Sequence, residues 1–185
     1  MENNIINGLL YQNDFLSVEE EKVIISEIDH AVWDTNLKRR VQHYGYLYDY
    51  KKKNIKQDLK IGELPDWLVL LERKITTNFN LEQSFNQVIV NEYEPGQGIS
   101  NHIDCIPCFE DVIISISLLS SCVMQFSKDK EKQEILLEPR SILLLSGEAR
   151  YNWKHGIKAV KNDKWFNTII PRERRISITF RKIQE

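Results

Sequence analysis

"RRISITFRK", residues 174–182, follows two patterns at once. Ile176, Ile178 and Phe180 alternate with Arg175, Ser177, Thr179 and Arg181, which is the period of two that a β-strand imposes. One face is apolar and the other polar. An ordinary amphipathic strand with a wet outer face has this pattern. So does a strand whose polar face grips a dianion, because arginine's planar fork binds carboxylates in bidentate fashion. Six residues of strand set the two arginine Cα atoms roughly 20 Å apart. Each side chain reaches about 6–7 Å by standard bond lengths, and the gap left between them suits a five-carbon diacid. Asn91 and Tyr93 share one face of the upstream run "FNQVIVNEY" (85–93) and can hydrogen-bond the same molecule.

Runs of the same style fill the second half of the chain. "DVIISISLL" (111–119), "CVMQF" (122–126), "KQEILLEP" (132–139) and "SILLLSG" (141–147) are short and β-rich. Pro95, Gly96, Gly98, Pro107, Pro139, Gly147 and Gly156 punctuate them. The first half reads differently. Residues 17–33 predict a helix, with a capping-box pattern at Ser17 and Glu20 and with Val23, Ile24, Ile28, Ala31 and Val32 on one side. Residues 65–78 predict another, with Pro65 near the first turn and Trp67, Leu68, Leu71 and Ile75 at helical spacing. Two helices followed by six or more short strands point to a mainly β protein, a sandwich or barrel buttressed by N-terminal helices.

"NHIDC" (101–105) places His102 and Asp104 on one side of an extended segment. Imidazole plus carboxylate is the ligand chemistry of non-haem Fe(II), where two His and one carboxylate take one face of an octahedron and leave the other open. The chain has 4 His and 27 Asp+Glu among 185 residues, so one His-x-acid pair is close to chance and needs a third ligand. His30 falls late in the first helix and His43 precedes the strand-like "YGYLY"; both read as surface or packed side chains. His155, in "YNWKHGI", follows the strand "SILLLSG", and a return strand there brings it across to the pair. "CIPC" (105–108) is a Cys-x-x-Cys. A redox dithiol belongs at a strand-to-helix turn and a zinc knuckle needs a second pair, so Cys105 and Cys108 read as incidental cysteines beside an oxidising centre.

The net charge is −2 and the pI about 6.1, so no strong overall basic field advertises nucleic acid. The basic patches Lys51, Lys52, Lys53 and Arg172, Arg174, Arg175 read as solvated surface. The N-terminus lacks the basic and apolar regions of a signal peptide. No run approaches the ~18 apolar residues of a membrane helix. Three cysteines argue against a disulfide framework. A monomer inside the cell and away from membranes is expected, in the cytoplasm or nucleus.

The order "NEYEPGQGISNHID", "DVIISISLLSSCVMQF", "PRSILLLSGEARYNWKHGI", "RRISITFRK" resembles the AlkB family of Fe(II)/2-oxoglutarate dioxygenases, over about residues 37–182. "HIDCIPCFEDVIISISL" and "GEARYNWKHGI" are most similar to the catalytic domain of the animal member that hydroxylates a wobble uridine in tRNA. The resemblance implies a double-stranded β-helix, or jelly roll, in residues 85–185. Helices and substrate-covering loops would occupy residues 1–84, all within one domain, 1–185. It implies that His102, Asp104 and His155 hold Fe(II), with 2-oxoglutarate and O2 as cosubstrates. Arg175 and Tyr93 would take the distal carboxylate of 2-oxoglutarate. Arg181 and Asn91 would sit nearer the metal, and Ser177 would stand where the bacterial member has asparagine. The expected substrate is a modified or alkylated base in RNA or single-stranded DNA. Arg39, Arg40, Tyr44, Tyr46 and Tyr48, in "RRVQHYGYLYDY", would offer stacking and phosphate contacts. A hydroxylase of a non-nucleic-acid substrate and a non-catalytic binding protein of the same fold are the competing readings.

Overall fold

A computed structural model describes residues 6–48 and 59–184. The Lys51, Lys52, Lys53 patch lies outside the described residues. In chain order the elements are β1 (Leu9–Gln12), α1 (Val18–His30), β2 (Val41–Tyr44), α2 (Asp66–Phe79), β3 (Gln87–Tyr93), β4 (Ile99–His102), β5 (Ile113–Leu118), β6 (Cys122–Lys128), β7 (Glu131–Leu137), β8 (Ile142–Leu145), α3 (Gly147–Tyr151), β9 (Lys154–Ile157), β10 (Asn162–Trp165), β11 (Thr168–Pro171) and β12 (Arg175–Arg181). Six strands form one sheet in the order β1-β8-β5-β12-β3-β2. Four form a second in the order β4-β9-β6-β7, and β10 and β11 pair as a separate hairpin. The pairings are antiparallel. This is a double-stranded β-helix, as expected.

The alternation in β12 decides how the layers stack. Ile176, Ile178 and Phe180 are each 0% exposed. They pack with Ile24 and Ile28 of α1 and with Leu68, Leu71 and Ile75 of α2 in one apolar cluster. Each such side chain contributes about 1.5–3 kcal/mol by leaving water. The helices thus cover the outer face of the larger sheet. A second cluster, with Met124, Phe126, Leu143, Leu145 and Ile157, lies between the two sheets. The polar face of β12 turns toward that space and is buried along its whole length, so the wet outer face allowed by the sequence does not exist.

Both predicted helices form, with shifted ends. Ser17 caps α1 through a complete capping box with Glu20. The helix stops at His30 rather than 33, because Asp34 leaves it to exchange two backbone hydrogen bonds with Val41. Val32 therefore falls outside the helix and is 92% exposed, whereas Val23 lies within it on the solvent side, 62% exposed, and the buried stripe is Ile24 and Ile28. Pro65 is the N-cap of α2, outside the first turn, and Asn80 ends that helix in the left-handed conformation, φ 50°. Two strands from the first half, β1 and β2, join the larger sheet at its edges.

Candidate active site

Three neighbouring strands build a polar lane. On β3, Tyr93 lies opposite Arg175 and Asn91 opposite Ser177; on β5, Ser117 lies opposite Ser177 and Ser115 opposite Thr179. Directly opposed residues share a face. The lane borders a cavity of about 510 Å³ between the sheets, and Asn91, Tyr93, Arg175, Ser177, Thr179 and Arg181 all line it.

Arg175 is 3% exposed. Its Nη2 donates to Ser117 Oγ at 2.7 Å, and the guanidinium lies 5.5 Å from the Tyr93 ring centre. Its Nε and Nη1 are buried and have no hydrogen-bond partner among the described residues. A buried cation without an anion is costly, so the position calls for an anionic ligand.

The second half of the site comes from β4 and β9. His102 lies opposite His155 across the two strands, with ring centres 4.5 Å apart. Gly156 permits this approach. A Cβ there would sit 2.3 Å from Asn101 Oδ1 and 2.9 Å from Ile99 O, well inside van der Waals contact. Asp104 follows β4 and turns its carboxylate to the same point. One ligand atom from each of His102, Asp104 and His155 lies within 4.8 Å of the others. The Nδ1 of His102 is 2.8 Å from Ser100 O. Protonated there, the ring keeps the lone pair of Nε2 for a metal.

The surroundings favour the ligating forms of two of these groups. Burial works against the Asp104 carboxylate, but Arg181, His102 and His155 outweigh it and hold the carboxyl well below its usual range. Arg181 reaches it from Nε at 3.3 Å and Nη2 at 3.4 Å. Burial pushes His155 down to about 4, so it is neutral at physiological pH. Burial also opposes the charged form of His102, but the hydrogen bond and charge of Asp104 prevail and its pKa is raised. Two imidazoles and a carboxylate converging on one side of a cavity suit Fe(II), and the unneutralised guanidinium across the cavity suits a carboxylate of 2-oxoglutarate. The residues present fit both groups.

The loop residues divide between the two sides of β2. Arg39 lines the cavity, donates from Nε to Asn91 Oδ1 at 2.9 Å and lies 5.9 Å from the Tyr93 ring centre. Tyr48 also lines the cavity, with its ring 6.0 Å from that of Phe109. Arg40 and Tyr44 are out of phase with Arg39 and face the helices. Arg40 pairs with Glu92 at 2.5 and 2.7 Å; Tyr44 packs edge-on to Trp67 and donates to Gln42 Oε1. Tyr46 bridges Lys60 beside a smaller cavity. These three are not brought to the main cavity, because the period of two that places Arg39 inward turns Arg40 and Tyr44 outward. His30 bonds Ser26 O along α1. His43 is half-buried on β2, and neither histidine joins the cluster.

Two features escape sequence reading. Arg150, 2% exposed, reaches from α3 to the backbone carbonyls of Asp104 at 2.9 Å and Cys105 at 3.1 Å, clamping the turn that carries the carboxylate. Only one arginine between strand and histidine hints at this. Cys105 and Cys108 form a disulfide and are not incidental neighbours. The turn between them, closed by Cys108 N–H on Cys105 O, brings their Cα atoms to 5.2 Å, within disulfide range.

Residues 8–181 match the family model of the 2OG-Fe(II) oxygenase superfamily. The chain is 41% identical to the alkylated DNA repair protein ALKBH8 homolog of Arabidopsis thaliana, over 97% of this chain and 59% of that protein. It is 36% identical to the tRNA (carboxymethyluridine(34)-5-O)-methyltransferase alkbh8 of Xenopus tropicalis, over 96% of this chain and 32% of that one. It therefore spans less than two thirds of the length of either. Among solved structures, OsALKBH1 superimposes with a TM-score of 0.71 at 15% identity, covering 95% of this chain and 96% of that one.

Proposed function

The chain belongs to the 2OG-Fe(II) oxygenase superfamily, among its AlkB homologues, and from that premise we propose that it oxidises a modified or alkylated nucleobase in RNA or single-stranded DNA, by demethylation or by stable hydroxylation. One observation carries the reading: the His102, Asp104 and His155 donors converge within 4.8 Å in the same cavity as a buried guanidinium with two nitrogens unpartnered among the described residues. The names of the relatives, one for alkylated DNA repair and one for tRNA modification, support a nucleic-acid substrate. The reading includes a monomer in the cytoplasm or nucleus. No helix of the described residues is long and apolar enough to cross a membrane.

His102, Asp104 and His155 would hold Fe(II). Bound there with 2-oxoglutarate and O2, iron supplies the power to oxidise a C–H bond as 2-oxoglutarate becomes succinate and CO2. The chain does the rest. Arg175 grips the distal carboxylate of 2-oxoglutarate, with Tyr93 and Ser177 beside it. Arg181 keeps Asp104 ionised, and Asn91, bonded by Arg39, lines the cavity beside Ser177. The cavity walls from both sheets exclude bulk water. Arg39 and Tyr48 stand at the cavity where a flipped or unpaired base enters.

A substrate panel tests the reading. Methylated single-stranded DNA, methylated RNA and tRNA carrying modified wobble uridines are incubated with Fe(II) and 2-oxoglutarate and analysed by mass spectrometry. Loss of a methyl group or gain of one oxygen on a base, matched by succinate, is expected for at least one. Succinate coupled only to a protein substrate would assign a different hydroxylase. No succinate with any substrate would mark a binding protein of the same fold.

A further inference from the structure

The β10–β11 hairpin is absorbed by neither the main core clusters nor the candidate site. Its strands pair Asp163 with Ile170, Lys164 with Ile169 and Trp165 with Thr168, leaving Phe166 and Asn167 as a two-residue turn. The inner face is anchored. Buried Asp163 accepts the Val123 backbone N–H at 3.1 Å and binds Arg172 in bidentate fashion at 2.6 and 2.7 Å. The outer face and tip are bare: Phe166 is 79% and Ile169 70% exposed. The Phe166 ring stands edge-on to Trp165 with centres 4.9 Å apart, on a left-handed backbone, φ 51°, that bulky residues rarely adopt. An aromatic ring held in solvent against a second ring is a surface for stacking.

Within the hairpin and the loop before it the exposed charge is of one sign, with Glu94 and Glu173 exposed just outside. From residue 158 to 171, Lys158, Lys161 and Lys164 are exposed and no acid is, on a chain of net charge −2. None of the three has an ion-pair partner among the described residues. The loop that carries the first two abuts the cavity rim. Gly96 N–H donates to Val160 O at 3.1 Å, and Arg172 Nη1 ties Gln97 O to Lys158 O at 3.2 and 2.6 Å. Gln97 Nε2 donates to Lys38 O at 2.9 Å. Lys38, Arg39 and Gly98 line the cavity.

We infer that this hairpin and the loop before it form a strand-binding arm for single-stranded nucleic acid, in which Phe166 stacks on a base flanking the target and Lys158, Lys161 and Lys164 contact the phosphates leading to the cavity. The inference rests on the nucleobase reading and deepens it. Planar faces on a polyanionic chain are what an aromatic tip on a lysine-bearing arm recognises. An acidic peptide matches only the charge.

The test is fluorescence anisotropy of the full chain with a short labelled single-stranded RNA across a salt series. Replacing Lys158, Lys161 and Lys164 together by Ala should weaken binding and flatten the slope of log K against log salt by about 2. Phe166→Ala should weaken binding roughly 5- to 150-fold with the slope unchanged. A control triple, Lys22→Ala, Lys130→Ala and Lys132→Ala, removes equal charge from α1, the β6–β7 turn and the start of β7 and should leave affinity within about twofold. All these positions are exposed, and thermal melting checks the fold. Equal losses in both triples would reduce the arm to a general field and overturn it. Unchanged affinity in the arm variants, with wild-type binding intact, would overturn the arm, spare the nucleobase reading and assign the apolar tip to a protein partner. A wild-type chain that binds no nucleic acid and oxidises protein would remove both.

Discussion

Under the proposed function, Arg175 is the residue on which cosubstrate binding would turn. Its guanidinium is buried, and among the described residues it is hydrogen-bonded only to Ser117, with two nitrogens unpartnered. Hydrogen bonds to charged groups are worth about 1.5–3 kcal/mol, so Arg175→Met should raise the KM for 2-oxoglutarate roughly 10- to 150-fold. Fe(II) affinity should change little. An unchanged KM would show that the anion binds elsewhere. His102 sets the response to pH. In the metal-free fold its pKa is raised by Asp104, so below that pKa a proton competes with metal for the ring. Asp104 is ionised well below this range and His155, at about 4, is neutral. Metal affinity should therefore fall from pH 8 to pH 6, by up to about tenfold per unit, as Co(II) titrations at the two pH values would show. A flat profile would remove His102 from the ligand set. The three side chains that converge at the candidate metal site were legible in the sequence because His-x-Asp and a later histidine have a recognisable order. Arg150 was not, because its role is to bond two backbone carbonyls, and no residue pattern encodes that.

At the scale of elements, β12 could be read as a strand from its alternation, but not the burial of its polar face, since all seven residues are buried. β4 and β9 could be read only as an extended segment and a return strand, without bounds or register. "ISNH" and "KHGI" are four residues each, with neither β-branched density nor clean alternation, and their pairing depends on Gly156 lacking a side chain. The outward turn of Arg40 and Tyr44 also depended on register, since a shift of one residue exchanges the two faces. The Asp163–Arg172 pair, 6% exposed on both sides, fastens the β10–β11 hairpin to β6 and to the rim. Breaking one partner of a buried pair costs about 3–5 kcal/mol. Asp163→Asn should lose about that in urea unfolding, whereas replacing both residues by apolar ones of similar size should lose less. A cost below about 1 kcal/mol would class the pair as solvated.

At the scale of the molecule, the two sheets divide the labour. The larger sheet buries one face against the helices and turns the other, a polar lane with Arg175, toward the cavity. The smaller sheet supplies both imidazoles from adjacent strands. The cavity between them joins the two chemistries. The fold class followed from strand density and turn spacing alone; the meeting of β4, β9 and β12 is a tertiary fact that no local pattern contains. The central claim is that one iron and one keto acid occupy this cavity together. Anaerobic addition of 2-oxoglutarate to the Fe(II)-loaded chain, followed by visible absorption, tests it most directly. The account predicts a 2-oxoglutarate-dependent charge-transfer band that disappears in Asp104→Ala and in His155→Ala. A wild-type protein that takes up Fe(II) and shows no such band, or variants that retain it, would contradict the account.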